Sequence, residues 1–323
     1  MDQLLKECSE PEEMNAPPPS PPPKKGRGNG WAKLSALLAG AALVVSCVTL
    51  VLTLKPELLH PAQEPEESSS TPLVQDETPT LQYRDRQIPV LEGVEVNQYD
   101  AACFSVNERG WLNYSIDGQS AAVGVDVSAY QEDVDWQQVA GSGISFAMIR
   151  VGYRGYSKGV VMPDKNFEAN IQGALDAGLQ VGVYFFSQAT NVWEAQEEAD
   201  YVLEAIQDYD ITYPVAFDWE FISGSSDART SGMKAEEVTR CAGAFCDMVA
   251  KAGYTPVIYF NQDLGYLTYQ LDQLTDYTFW LAEYNARPSF YYHFDLWQYT
   301  HKATVPGIEG SVDLNLDFRS VAA

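Results

Sequence analysis

Positive charge is scarce in this chain: 20 Lys and Arg stand against 45 Asp and Glu, a formal net charge of −25 over 323 residues. A surface that acidic repels phosphate backbones, so nucleic acid is excluded as a partner. Histidine is scarcer still. His60, His293 and His301 are the only three, and no HExxH spacing is present, which argues against a zinc peptidase. The five cysteines (Cys8, Cys47, Cys103, Cys241 and Cys246) form no CxxC pair and no zinc-ligand spacing, so neither a metal nor another cofactor is expected. Cys241 and Cys246 stand five apart in a predicted helix, on different faces, and read as small apolar residues or incidental thiols. There is no GxSxG elbow for a nucleophilic serine and no glycine loop to cradle a phosphate. Acid–base chemistry by the abundant carboxylates is left.

One long apolar run occurs: Leu34 to Leu54, 21 residues without a charge. As a helix it would be roughly 31 Å long, the thickness of a bilayer core. The run continues past Val44-Val45-Ser46-Cys47, where a lipoprotein would turn polar after its cleavage box. Lys24, Lys25, Arg27 and Lys33 precede it, whereas Lys55 alone follows before an acidic stretch. The positive-inside rule then places the N-terminus in the cytoplasm and the rest outside the cell membrane. The expected order is a disordered Pro-rich basic cytoplasmic tail (1–33), a single transmembrane helix (34–54), a disordered extracellular linker (55–83), a short β lead-in (84–120) and a large globular domain (121–323). The linker is rich in Pro, Glu, Ser and Thr, and cannot bury enough apolar surface to offset its ordering entropy. The lead-in reads as a hairpin, Phe104-Ser-Val and Trp111 to Ile116 split by Asn107-Glu-Arg-Gly110.

After residue 121 short apolar strands alternate with amphipathic helices. Predicted strands cover 123–127, 144–151, 180–186, 214–219, 255–260, 278–282, 294–299 and 311–316, with helices at 165–177, 193–207 and 235–252. Gly178 and Gly253 stand where helix C-caps belong. The pattern predicts an α/β fold: an irregular TIM-like (β/α) barrel, with chemistry at the strands' C-terminal ends.

Four acids fall near strand ends: Asp126, Asp218, Glu220 and Asp313. Positions 218 and 220 are two apart, so on a strand they share a face, about 6.6 Å along the chain. Two carboxylates in one pocket repel, and one is held protonated, as a donor to a glycosidic oxygen must be. Aromatics cluster near the same strand ends, among them Tyr184, Phe186, Trp219, Tyr259, Trp280, Tyr284, Trp297 and Tyr299, and such faces stack on sugar rings.

The motifs Gly124-Val-Asp-Val-Ser-Ala-Tyr-Gln131, Val134-Asp-Trp136, Phe146-Ala-Met-Ile-Arg-Val-Gly-Tyr-Arg-Gly155, Val181-Gly-Val-Tyr-Phe-Phe-Ser187, Ala216-Phe-Asp-Trp-Glu220 and Leu296-Trp-Gln-Tyr299 occur in that order. Together they resemble glycoside hydrolase family 25, the Chalaropsis-type lysozymes or N-acetylmuramidases, over about residues 121 to 318. The resemblance implies a flattened barrel that hydrolyses the β-1,4 bond between N-acetylmuramic acid and N-acetylglucosamine in peptidoglycan, for cell-wall remodelling. It implies Glu220 as general acid, Asp218 stabilising the reacting centre, and Asp126 and Asp313 as supporting acids. Tyr184, Phe186, Trp219, Asn261, Trp280, Tyr284, Trp297 and Gln298 are the expected sugar-binding set. The expected partners are peptidoglycan strands and, through residues 34–54, the membrane. The alternative expectation is a non-catalytic glycan-binding or scaffolding barrel at the cell wall.

Overall fold

The computed structural model describes residues 79–222 and 227–321. No helix among these residues is long and apolar enough to cross a membrane. The predicted tail, the spanning segment 34–54 and most of the linker lie outside the described residues.

The described residues begin inside the span read as linker. Strands β1 (Thr80–Tyr83) and β2 (Arg86–Pro89) form a hairpin turned by Arg84 at φ 54°. The Tyr83 hydroxyl donates to Asp263 at 2.8 Å and the Arg84 guanidinium pairs with the same carboxylate at 2.7 Å, fastening the hairpin to the barrel. The predicted lead-in hairpin is present: β3 (Phe104–Val106) and β4 (Leu112–Ile116) pair antiparallel, and β4 continues to β5 (Gln119–Ser120). It seats on the barrel through rings, with Phe104 5.7 Å from Trp297 and Tyr114 5.2 Å from Phe318, centroid to centroid.

The remaining strands are β6 (Ala122–Val127), β7 (Phe146–Arg154), β8 (Val161–Pro163), β9 (Gln180–Ser187), β10 (Val215–Trp219), β11 (Pro256–Asn261), β12 (Thr278–Ala282), β13 (Leu296–Ala303) and β14 (Val312–Asp317). Pairing runs β6-β14-β13-β12-β11-β10-β9-β7 and closes because β6 also pairs with β7, giving an eight-stranded barrel. The strand β8 folds back on the end of β7. Parallel strands covered on both faces are buried along nearly their whole length, and any charge they carry there must be paired. That is why eight of the nine residues of β7 are buried.

The helices are α1 (Trp136–Gly141), α2 (Phe167–Asp176), α3 (Val192–Ile206), α4 (Ala235–Lys251) and α5 (Gln262–Leu267). Gly178 and Gly253, at φ 78° and 92°, follow α2 and α4 at the left-handed turn where only glycine is unstrained. In α4 the buried face carries Val238, Cys241, Ala242, Phe245, Cys246 and Val249. The two cysteines sit at either edge of one wide stripe, because α4 packs on α3 as well as on β10 and β11.

Two departures from a TIM-type repeat stand out. The links β12–β13 and β13–β14 carry no helix, and β14 runs antiparallel to both its neighbours. The barrel is thus an eight-strand β-barrel with a partial helical jacket, not eight strand–helix units. Alternation along the strands builds two cores. Val183, Phe185, Val215 and Phe217 face the helices, whereas Met148, Tyr184, Ala216, Tyr259 and Trp280 fill the barrel interior.

Candidate active site

The interior face of β10 ends on Asp218, which follows Ala216 by two residues. Its register partners are Phe186 on β9 and Tyr259 on β11. Glu220 is the first residue beyond the strand, and its backbone is held from behind. The Gln188 amide donates to the Glu220 carbonyl at 2.8 Å and accepts from the Thr230 hydroxyl at 2.9 Å. The Trp219 indole donates to the Ala189 carbonyl at 3.0 Å.

Asp126, fifth residue of β6, lies directly opposite Asp313, second residue of β14. The sequence reading places Asp313 near an end of the last strand without giving that strand's direction. The reversal of β14 brings its start to the rim where the parallel strands finish. All four acids line one cavity of about 380 Å³.

Of the predicted sugar-binding set, Tyr184, Trp280, Tyr284 and Gln298 line this cavity. Phe186, Trp219, Asn261 and Trp297 do not. Trp219 and Trp297 are odd-numbered neighbours of the inward residues Asp218 and Gln298, so the pleat turns them into the shell. There Trp297 donates to the Glu283 carbonyl at 2.8 Å. Asn261 is the N-cap of α5, its side chain accepting from Leu264 N at 3.0 Å. Phe186 is 2% exposed, buried next to Asp218 rather than on the cavity wall.

Sequence reasoning missed Ser128, Tyr130 and Gln131, which follow β6 into a short capped turn, and His301 and Ser311 at the rim. It also missed Asn315, although that residue stands two beyond Asp313 and so shares its face. A hydrogen-bond network converges on Asp126. Gln298 and Asn315 donate to one of its oxygens at 2.9 and 2.8 Å. The Tyr259 and Tyr284 hydroxyls each donate to the Gln298 carbonyl at 2.9 Å, and the Trp280 indole donates to the Asn315 carbonyl at 2.9 Å. On the far side Arg150, 1% exposed, pairs with buried Asp164 at 2.8 Å, and its guanidinium lies 5.6 Å from the Tyr130 ring centre.

Crowding of acids in one pocket, together with their burial, raises these four carboxyls' hold on their protons. Burial, then Asp126, pushes Glu220 up from 4.5 to about 7. Burial, then Glu220 and Asp126, raises Asp218 well above the usual carboxylate range, with Arg150 opposing. Burial and Asp126 lift Asp313 to about 9. Asp126 rises only to about 6, because Asn315 and Gln298 offset part of its burial. One Asp218 oxygen, Oδ1, is buried without a hydrogen-bond partner in the protein. Such a cluster holds protons at neutral pH and can donate one to a leaving oxygen while a partner faces developing positive charge.

Residues 125–308, more than half of the chain, match the sequence profile of Glycosyl hydrolases family 25. The chain belongs to that family. It is a glycoside hydrolase of the lysozyme type. Uncharacterized protein YegX of Escherichia coli O157:H7 is 29% identical over 204 residues, covering 60% of this chain and 68% of that protein. The autolytic lysozyme of Clostridium acetobutylicum is 25% identical over 197 residues, 59% of this chain and 54% of the relative. This family 25 chain therefore spans about half the length of that lysozyme. Among solved structures, a family 25 glycosyl hydrolase from Bacillus anthracis superposes with a TM-score of 0.53 at 25% identity, over 64% of this chain and 92% of the other. The lead-in strands β1 to β5 lie outside the matched span.

Proposed function

We propose that this chain is a membrane-anchored muramidase that hydrolyses the β-1,4 bond between N-acetylmuramic acid and N-acetylglucosamine in peptidoglycan. The observation that carries this reading is the meeting of Asp126, Asp218, Glu220 and Asp313 in one cavity whose environment keeps Glu220 protonated up to about pH 7. Glu220 gives its proton to the glycosidic oxygen as the bond from C1 to that oxygen breaks, and water then supplies the new hydroxyl at C1 and returns its other proton to Glu220. Asp218 lines the same cavity and faces the positive charge that develops. Asp126 and Asp313 support the pair, and Tyr184, Trp280 and Tyr284 offer ring faces and hydroxyls to the sugars.

The anchor rests on the sequence alone. Residues 34–54 would hold the barrel outside the membrane, with the basic tail in the cytoplasm. The linker would reach on the order of 80 Å at most, confining cleavage to wall near the membrane for its remodelling. Recovery of the chain from the supernatant of carbonate-washed membranes would overturn the anchor.

The activity is tested by digesting purified peptidoglycan with the full-length chain in detergent, wild type beside Glu220→Gln. New ends are identified by mass spectrometry after borohydride reduction. Reduced muramic-acid ends from wild type alone are expected. Reduced glucosamine ends would replace the muramidase by a glucosaminidase, and an equally active Glu220→Gln would remove Glu220 as the acid.

A further inference from the structure

Strand β13 is a wall shared by two depressions. Gln298 and His301 line the cavity holding the acids, whereas Tyr299, Thr300 and Lys302 line a groove of about 410 Å³ on the strand's other side. The split follows from register shifts in β13 between Gln298 and Thr300 and between Thr300 and Ala303, which re-aim successive side chains. The rim between the depressions is the ring pair Tyr284–His301, centroids 4.4 Å apart. Tyr284 faces the acids, and the next residue, Asn285, lines the groove.

The groove's far wall comes from the lead-in hairpin, which the family match does not cover. Arg109 projects from a turn that is locally fixed. The Asn107 side chain accepts from Arg109 N at 2.9 Å and from Trp111 N at 3.0 Å, and Gly110 takes φ 80°. The guanidinium lies 5.5 Å from the centre of the Trp111 ring. Two cations, Arg109 and Lys302, therefore line one groove that no Asp or Glu of the described residues lines, on a chain with 45 acids and 20 bases. The Lys302 charge also reaches the rim, where after burial it is the next cause lowering the proton affinity of His301.

We infer that this groove binds the anionic peptide stem of the wall strand whose sugars occupy the adjacent cavity. The inference rests on the muramidase reading. In peptidoglycan the stem is attached through the lactyl arm of muramic acid and carries free carboxylates. A sugar chain held over Asp218 and Glu220 delivers its stem across the Tyr284–His301 rim at high effective concentration. Paired cations beside aromatic surface, free of competing acids, suit carboxylates on a short peptide. The lead-in hairpin is then a specificity device added to the family barrel.

The test compares two polymers: peptidoglycan strands bearing their stems, and the same strands after an amidase has removed the stems. Full-length wild type, Arg109→Ala/Lys302→Ala and Arg109→Glu/Lys302→Glu are assayed on each. The expected result is a wild-type preference for stem-bearing strands. The alanine pair should lower kcat/KM on those strands about three- to tenfold, the size of two partly exposed ionic contacts, and the reversal should lower it further. Turnover of stem-free strands should stay within about twofold in both variants, which also shows that they fold. Salt should erase the wild-type preference. Equal turnover of both polymers by wild type, or variants indistinguishable from wild type on stem-bearing strands, overturns the groove while the muramidase reading stands. Failure of wild type to release muramic-acid ends from either polymer overturns that reading and the groove with it.

Discussion

The indole nitrogen of Trp280 donates to the side-chain oxygen of Asn315 at 2.9 Å, and this bond fixes which way the Asn315 amide points. An indole N–H can only donate, so the amide must turn its oxygen to Trp280 and its nitrogen to Asp126, 2.8 Å away. A tryptophan on one strand thereby determines how firmly a carboxylate on another holds its proton, since that donor favours ionised Asp126.

Asn315→Leu should consequently raise Asp126 above its value of about 6, because burial remains while one offsetting donor is gone. If ionised Asp126 is needed for turnover, the ascending limb of the pH–kcat profile moves to higher pH. Loss of one hydrogen bond to a charged group is worth about one pH unit. An unmoved limb would assign it to another group.

Glu220→Gln should abolish turnover and yet stabilise the fold at alkaline pH. Glu220 is raised from 4.5 to about 7 in the folded state, so the folded protein binds more protons than the unfolded chain between those values. Stability contributed by this group is full below about pH 4.5 and is lost as pH rises towards 7. Glutamine does not ionise and escapes the loss. The variant should gain about 1–3 kcal/mol at pH 8, a few degrees in Tm, and almost nothing at pH 4. Thermal scans at the two pH values decide it, and an equal gain at both would mean that packing, not charge, is responsible.

Period-two logic explains both what the sequence disclosed and what it concealed. The strand Thr278–Ala282 and the paired acids Asp218 and Glu220 were legible because buried parallel strands are short apolar runs and i, i+2 residues share a face. The same logic, carried one residue further, would have removed Trp219 and Trp297 from the sugar-binding set, since each flanks an inward residue. Asn261 was hidden by its second use as a helix cap. The direction of β14 was not legible: alternation shows which face a residue takes but not which way its strand runs, and only pairing with β6 and β13 fixes that. The hairpin at 80–89 was obscured by the polar composition shared with the preceding linker, because its hold on the barrel is a contact to distant Asp263.

Gly182→Ala should destabilise the barrel floor. Gly182 is paired with Met148 across β9 and β7, and a Cβ built there would lie 2.5 Å from the Pro214 carbonyl oxygen and 2.6 Å from the Met148 sulfur. The sulfur can swing aside, but the carbonyl belongs to the chain entering β10. Overpacking of this kind costs about 1–3 kcal/mol, measurable as a lower denaturant midpoint with unchanged slope. A midpoint within error of wild type would show that the floor yields more easily than the static geometry allows.

Gln188 should prove a positioning residue for Glu220. It is fully buried, and each of its side-chain groups is used: the nitrogen donates to the carbonyls of Glu220 and Ser187 at 2.8 and 2.9 Å, while the oxygen accepts from Thr230 at 2.9 Å. Gln188→Met keeps the side chain's length but offers no donor to the Glu220 carbonyl, so that peptide loses its anchor. Displacement lets water reach the Glu220 carboxyl and lowers its proton affinity from about 7, since burial is the leading cause of the rise. The expected signature is a kcat reduced about ten- to a hundredfold with KM little changed, together with a descending limb of the pH profile moved to lower pH. A merely structural role would lower Tm and leave that limb where it is. A variant with reduced Tm, normal kcat and an unmoved limb would therefore refute the assignment.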